Sequence, residues 1–346
     1  MQKWIVNGIS GCGRIELLNE LKAFGDQNGK KIHIHDVGDL IFKESKRQQI
    51  PVTDERILDM DQNQLKLLRT IAIRDVEREI FKHDNIDLHL IGTHATFRWK
   101  SRLIPGISYQ DVLDIKPNGF INVIHNVKQI YECNQKNKKW DKHTLPNLEE
   151  TQSWLMEEEF VTEVLANVIN VPIYNVARDH KVKNLIDLFF TKKKKIYLSY
   201  PITAIQESNP DLLEQIQGSI LNELEELFVV FNPLTIQDMS LADPKAGEKM
   251  PELIDQLTAD AQEMIKKRTI ERDFQFIDQS DAVVVFYLTD KLSPGVLAEI
   301  FYAHRNQKPV FMVFNEKKSP FIEDVTTVIE PTKERLMERL REFATN

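Results

Sequence analysis

Glu299 is a lone acid set where an apolar run hands over to a helix. The segment SDAVVVFYLTDKLSPGVLAEIFYAHRNQKPVFMVF, residues 280–314, holds two runs that read as buried strands, 282–288 and 309–314. Between them a short loop carries Ser293 and Gly295, and the opening turn of the next helix carries Glu299. Ligands of open α/β sheets bind outside the carboxyl ends of the strands. N–H groups at a helix start favour an anion there. Ser293 and its neighbouring amides are thus a candidate phosphate seat, with Glu299 facing the same cavity. A sugar phosphate suits this arrangement, its phosphate gripped by amides and a hydroxyl and its reacting carbon turned to the acid. The plainer alternative is helix capping, in which a serine at the helix start is followed by a glutamate.

A second cluster lies near the amino terminus. GISGCGRI, residues 8–15, follows a short strand and opens a helix, the place of a phosphate-binding loop. Gly8, Gly11 and Gly13 free backbone N–H groups to converge on an anion, and Arg14 can contact a phosphate. The pattern G-x-x-x-x-G-K-[ST] is half met, because Arg14 replaces the lysine and Ile15 the hydroxyl residue. Isoleucine cannot ligate the magnesium ion central to phosphoryl transfer.

The elements that must position these clusters alternate along the chain. Strands are expected at 4–7, 31–35, 88–91, 119–124 and 172–176, with helices at 15–24 and 61–82. Four lysines at 192–195 precede a fresh strand at 196–199, and a domain boundary is placed near residue 191. Beyond it, helices are expected at 210–227, 252–277 and 332–343, and a strand at 229–232. Strands alternating with helices predict mostly parallel sheets covered on both faces. Two α/β domains are expected, 1–190 and 191–346, and 346 residues exceed the usual limit of a single core.

Hydrophobic content of 42% and charged content of 28% describe an ordinary globular chain. A net charge of −8 argues against general nucleic-acid binding, which needs a basic face. Cys12 and Cys133 are too few for a disulfide framework and are not spaced as a zinc site. No apolar run approaches the roughly 18 residues of a membrane span, and MQKWIVNGIS lacks a secretory pattern. A reduced, cytoplasmic setting without a membrane partner is the expectation.

Residues 1–190 resemble the archaeal-type adenylate kinases. The likeness rests on VNGISGCG, on VGDLIFKESKRQQIPVTDERILDMD, and most specifically on GTHATFRWKSRLIPGIS, where Thr93, His94, Pro105 and Gly106 keep the family's spacing. The resemblance implies a P-loop kinase-like parallel sheet, in a family often trimeric. It departs at Gly92, where the family has an aspartate, and at Leu58, near an expected arginine. The lid region YECNQKNKKWDKH offers lysines for arginines. Lysine supplies charge without the planar fork. Together with Ile15 these losses predict a catalytically degenerate domain that senses a nucleotide or holds protomers together.

Residues 194–315 resemble the nucleoside 2-deoxyribosyltransferase superfamily, above all its 2′-deoxynucleoside 5′-phosphate N-hydrolases. KKIYLSYPIT matches the first strand, and Arg272-Asp273, Ser293-x-Gly295 and Glu299 stand at the shared spacing. The fold implied is Rossmann-like (flavodoxin-like). Glu299 is implied as the nucleophile at the sugar's anomeric carbon and Asp273 as the second acid, beside Arg272. Ser293 is implied at the 5′-phosphate, where transferases tend to have an acid. Tyr197 and Tyr200 are candidates to line the sugar pocket, with packing at a strand end as the plainer alternative. Leu297-Ala298 departs from the usual glycine and aromatic residue. Superfamily sites form between protomers, so a homo-oligomer is expected, with Asn315 as a residue that can reach a neighbour's site.

The preferred expectation is a nucleotide N-glycosidase that requires no cofactor or metal, acting on a (deoxy)nucleoside 5′-phosphate or an NAD-like molecule. A nucleotide ligand is expected in the kinase-like domain, and a trigger or partner protein would suit a toxin-like or antiviral effector. One alternative is an adenylate-kinase-like phosphotransferase with a regulatory carboxyl-terminal module; another is an assembly in which both halves are sensors.

Overall fold

A computed structural model describes residues 1–52, 56–83, 85–100, 102–141, 143–242, 257–316 and 319–345. The expected helix at 252–277 is seen as Ala259–Asp278, and its positions 252–256 lie outside the described residues. Motif positions 53–55, 101 and 142 lie outside them as well. The chain divides into two compact units: Met1–Val182 with Asp238–Ile265, and Lys183–Gln237 with Lys266–Asn346. The division falls before the helix residues 183–190 rather than near residue 191. Asn184 explains the assignment: its side chain donates to the Val230 carbonyl at 2.9 Å and accepts from the Val230 N–H at 3.2 Å, stitching that helix to a strand of the second unit.

The first unit is built on strands β1 (Gln2–Asn7), β2 (Ile32–Asp36), β3 (Leu88–Gly92), β6 (Gly119–Ile124) and β7 (Ile173–Ala177), in the order β2-β3-β1-β6-β7. All pairs are parallel. Between β3 and β6 an antiparallel hairpin, β4 (Thr96–Trp99) with β5 (Arg102–Pro105), was not foreseen. Every residue of β3 and β6 is buried, which is why these strands read as apolar runs rather than as alternations. Ile5, Ile91 and Phe120 pack with Leu68, Ala72 and Val76 of the helix Gln62–Lys82.

The second unit carries β8 (Lys195–Ser199), β9 (Val229–Phe231), β10 (Ala282–Phe286), β11 (Val310–Val313) and β12 (Val328–Glu330), in the order β12-β11-β10-β8-β9. It too is parallel throughout. This is the doubly wound, flavodoxin-like order, whose direction of winding reverses between its first and third strands, here β8 and β10. Ile196, Leu198, Val284 and Phe286 turn to one face, against Leu336 and Leu340 of the helix Lys333–Thr345. Tyr197 and Ser199 turn to the other, in register with Val283 and Val285. Phe231, registered with Tyr197, stacks on Phe276 at 5.8 Å, which places the helix Ala259–Asp278 over that second face.

The helix expected at 210–227 is interrupted. Two α-helical stretches, Pro210–Gln215 and Leu221–Leu227, flank a π-helical turn at Ile216–Ile220. The extra residue keeps Ile216 and Ile220 in the core while Gln217 reaches Tyr200 and Asn232. Such bulges concentrate at functional sites.

Candidate active site

Glu299 projects from the helix Pro294–Arg305 to the reversal point between β8 and β10. It lies beyond the first helical turn, which contains no acid. Ser293 occupies the cap position but its side chain makes no capping bond, so the capping alternative does not hold. The Ser293 N–H instead donates to the Tyr287 phenol at 2.7 Å, and that phenol donates to the Lys291 carbonyl at 3.0 Å. Gly295 has open space where a side chain would stand. With Val296 it supplies first-turn N–H groups that have no intrahelical acceptor.

Both oxygens of Glu299 are held. The Tyr197 phenol donates to Oε1 at 2.9 Å and the Ser199 hydroxyl donates to Oε2. Tyr197 and Ser199 are fully buried, and their separation of two residues puts them on one face of β8. Burial raises the Glu299 carboxyl to about 8, the negative charge of Asp273 adds to the rise, and the two hydroxyl bonds and Arg272 oppose it. Burial also raises Asp273, opposed by the Arg272 guanidinium. That guanidinium donates to Asp273 Oδ1 at 2.8 Å and to the Ile236 carbonyl at 3.1 Å. Two acids thus share a region, one paired directly with a cation and the other hydrogen-bonded by two neutral hydroxyls. Such an asymmetry divides roles between paired carboxyl groups.

Tyr200 is not beside Glu299 in the same way. Its phenol donates to Asn232 Oδ1 at 3.1 Å and accepts from the Gln217 amide, while Asn232 Nδ2 donates to Gln217 Oε1 at 3.0 Å. This closed ring braces the ends of β8 and β9, and burial pushes the phenol's ionisation far up. Ser199, Tyr287, Gln217 and Asn232 were missed by sequence reasoning. Ser199 had a signal, since it shares the Tyr197 face by strand alternation.

In the first unit the phosphate-like loop is intact as a backbone turn. Gly11 and Gly13 have φ of 84° and 77°, in the left-handed region that favours glycine. Both border a cavity of about 310 Å³ walled by Arg14, His94, Trp99 and Trp140. Gly8 stands apart, its N–H donating to the buried Glu158 at 3.0 Å. Glu158 also accepts from the Ala95 N–H at 2.8 Å and the Thr96 N–H at 2.6 Å, tying β4 to the loop. Arg14 is turned inward: it donates to the Gly8 carbonyl at 2.8 Å and to the Thr93 carbonyl. Burial and the Arg14 charge hold His94 well below the usual range and neutral. Ile15 is 48% exposed and offers no hydroxyl at its position. Leu58 and Arg56 both line the cavity, and Arg56 pairs with Asp141 at 2.9 Å.

No protein-family model matches the sequence, and no curated protein matches it. Among solved structures, the crystal structure of a gluconokinase from Sinorhizobium meliloti 1021 aligns with 54% of this chain and 87% of its own, at 12% identity and a TM-score of 0.29. A likeness that low carries no argument about activity. Among the described residues no helix is long and apolar enough to cross a membrane.

Proposed function

We propose that the second unit is an N-glycosidase that cleaves the base–sugar bond of a nucleotide, a (deoxy)nucleoside 5′-phosphate or an NAD-like molecule. One observation carries this reading: Glu299 is a carboxyl group held by two hydroxyl donors, and among the described residues no ion pair engages it, Arg272 being paired with Asp273. A half-buried carboxylate in that state is stabilised by a positive charge arriving beside it. Cleavage of an N-glycosidic bond develops such a charge on C1′ and the ring oxygen. A Glu299 oxygen attacks C1′ as the C1′–N bond breaks, and the base leaves with the bonding electrons, taking a proton from the Asp273 carboxyl or from solvent. Water then opens the glycosyl ester and releases the sugar phosphate. Asp273 orients Glu299 or assists base departure, and Ser293 with the Gly295 and Val296 amides receives the phosphate.

In this reading the first unit binds a nucleotide at the Gly11–Arg14 loop or holds protomers together. The whole chain, as an oligomer with a trigger, would serve as a nucleotide-depleting defence effector. The inward turn of Arg14 and the exposed Ile15 count against the alternative, a nucleoside monophosphate phosphotransferase.

Purified full-length protein incubated with a panel of nucleotides and NAD, with released base followed by chromatography, tests the reading. Base release that Glu299→Gln abolishes is the expected result. ADP formation from ATP and AMP that survives Glu299→Gln would replace it with the phosphotransferase.

A further inference from the structure

We infer that Ser199 is a positioning residue for the Glu299 carboxylate, holding the oxygen that the Tyr197 phenol does not reach. The inference rests on the glycosidase reading only for its kinetic consequence. Its geometric basis is the strand β8, which presents both hydroxyls on one face, fully buried, to a side chain borne on the helix Pro294–Arg305.

The two donors divide the work by geometry. The terminal torsion of a glutamate is broad and roughly two-fold, so a single hydrogen bond leaves the carboxylate plane free to swing. Tyr197 on Oε1 and Ser199 on Oε2 fix that plane against the sheet. Ser199 is the more rigid anchor, because its oxygen is one bond from a β-carbon locked in a central strand, in register with Val285 of β10. A phenol at the end of two torsions has more play. The plane that results decides which lone pairs of Glu299 are left free of the two hydroxyls, and hence the line of approach to an electrophilic carbon.

A hydroxyl donating to a carboxylate favours its charged form. The bond from Ser199 is one of two that oppose the effects of burial and of Asp273 on Glu299. Losing it makes ionisation harder, and the carboxylate that remains is less well aimed. Both consequences fall on the chemical step rather than on binding. Nothing in the residue type announces this, since a serine in a buried strand is ordinary.

The experiment uses the full chain with glutamate labelled by carbon-13 at the side-chain carboxyl, the Glu299 signal being identified by its loss in Glu299→Gln. In Ser199→Ala the titration midpoint of Glu299 is expected to rise by about half to one pH unit, a roughly three- to tenfold loss of the ionised form in the neutral range. Ser199→Thr, which keeps the hydroxyl, is expected to restore the wild-type midpoint. If the alanine variant does not fold, Ser199→Cys, a much weaker donor of similar size, carries the same comparison. An unchanged midpoint in the variant lacking the hydroxyl overturns the inference.

Base release gives a separate arm. Where the wild type releases base, Ser199→Ala should lower kcat about tenfold near neutrality with KM within about twofold, the loss shrinking as pH rises. Unaltered kcat and pH profile in that variant overturn the positioning role and leave the glycosidase reading intact. A shifted midpoint in a chain that releases no base from any nucleotide supports the positioning role and removes the glycosidase reading.

Discussion

Arg272 and Asp273 are consecutive in sequence and paired with each other, guanidinium nitrogen to carboxylate oxygen at 2.8 Å, while Glu299 is held by the Tyr197 and Ser199 hydroxyls. The pair is shielded, its side chains being 6% and 18% exposed. Removing one member of such a pair costs about 3 kcal/mol or more, whereas removing both costs far less. Arg272→Met should therefore destabilise the second unit by about 3 kcal/mol, and Arg272→Met with Asp273→Leu should recover most of the loss. Denaturant unfolding of the two variants measures this, and equal losses in both would show that the pair is not a unit.

The raised ionisation of Glu299 has a cost in stability with a definite sign. Its native value is about 8, against an ordinary value of 4.5 in the unfolded chain. The protonated native form therefore contributes fully below the unfolded value, and that contribution is lost as pH rises through about 8. Glu299→Gln, neutral throughout, should match wild type near about pH 4.5 and exceed it by about 4 kcal/mol near about pH 8.5. Thermal unfolding across that range checks the divergence.

The same group sets the pH dependence of base release. A nucleophile must be ionised, so kcat/KM should climb about tenfold between about pH 6 and 7 and level off above about pH 8. A rate already flat by about pH 5.5 would mean that Glu299 is not the titrating nucleophile.

Arg14 is a structural cation in the first unit. It is 7% exposed and donates to the carbonyls of Gly8 and Thr93. Arg14→Ala strands both acceptors and should cost the first unit about 2 kcal/mol. Ile15→Thr alone should yield no ADP from ATP and AMP, because the loop's cation still faces its own backbone. Denaturant unfolding and a coupled ADP assay test the two statements.

Four imidazoles cluster at the β2–β3 edge: His33, His35, His83 and His89, with ring centroids 4.5 to 6.2 Å apart. Among the described residues no group of three or more His, Cys, Asp or Glu side chains is arranged to hold a metal. Burial lowers His35 to about 3 and His89 to about 4, and the neighbouring imidazoles push further down; His33 is lowered too. Lys3 and Lys22 disfavour their protonation, and Glu79 favours that of His33. His35 and His89 are neutral when folded, so their contribution is full above the ordinary value of 6.5 and is lost as pH falls toward about 4. The first unit should lose on the order of 3 kcal/mol between about pH 7 and 4. His89→Leu should flatten that decline in denaturant unfolding.

Much of the fold was legible because parallel strands buried on both faces leave continuous apolar runs, as in AVVVF of β10 and GFINVI of β6. The helix Leu148–Ile169 was overlooked, although Asn147 and Glu150 form a capping box at its start. Within it Glu158 is fully buried and accepts three backbone N–H groups. The hairpin β4–β5 escaped because its short strands mix charged and apolar residues. In the candidate site, Glu299, Asp273, Arg272 and Tyr197 were named from sequence and lie together. Tyr200 belongs instead to the ring with Gln217 and Asn232, which depends on a π-helical turn with no local sequence mark.

By itself the sequence determined two α/β units, the loops that open at their strand ends, and the acids able to stand there. Local pattern suffices for this, since burial on both faces of a sheet and the freedom of glycine are written within a few neighbouring residues. Only the tertiary structure decided which acid pairs with Arg272 and which is held by hydroxyls. Charge compensation is settled by groups such as Ser199 and Glu299, 100 residues apart, and their meeting follows from the packing of a helix on a sheet.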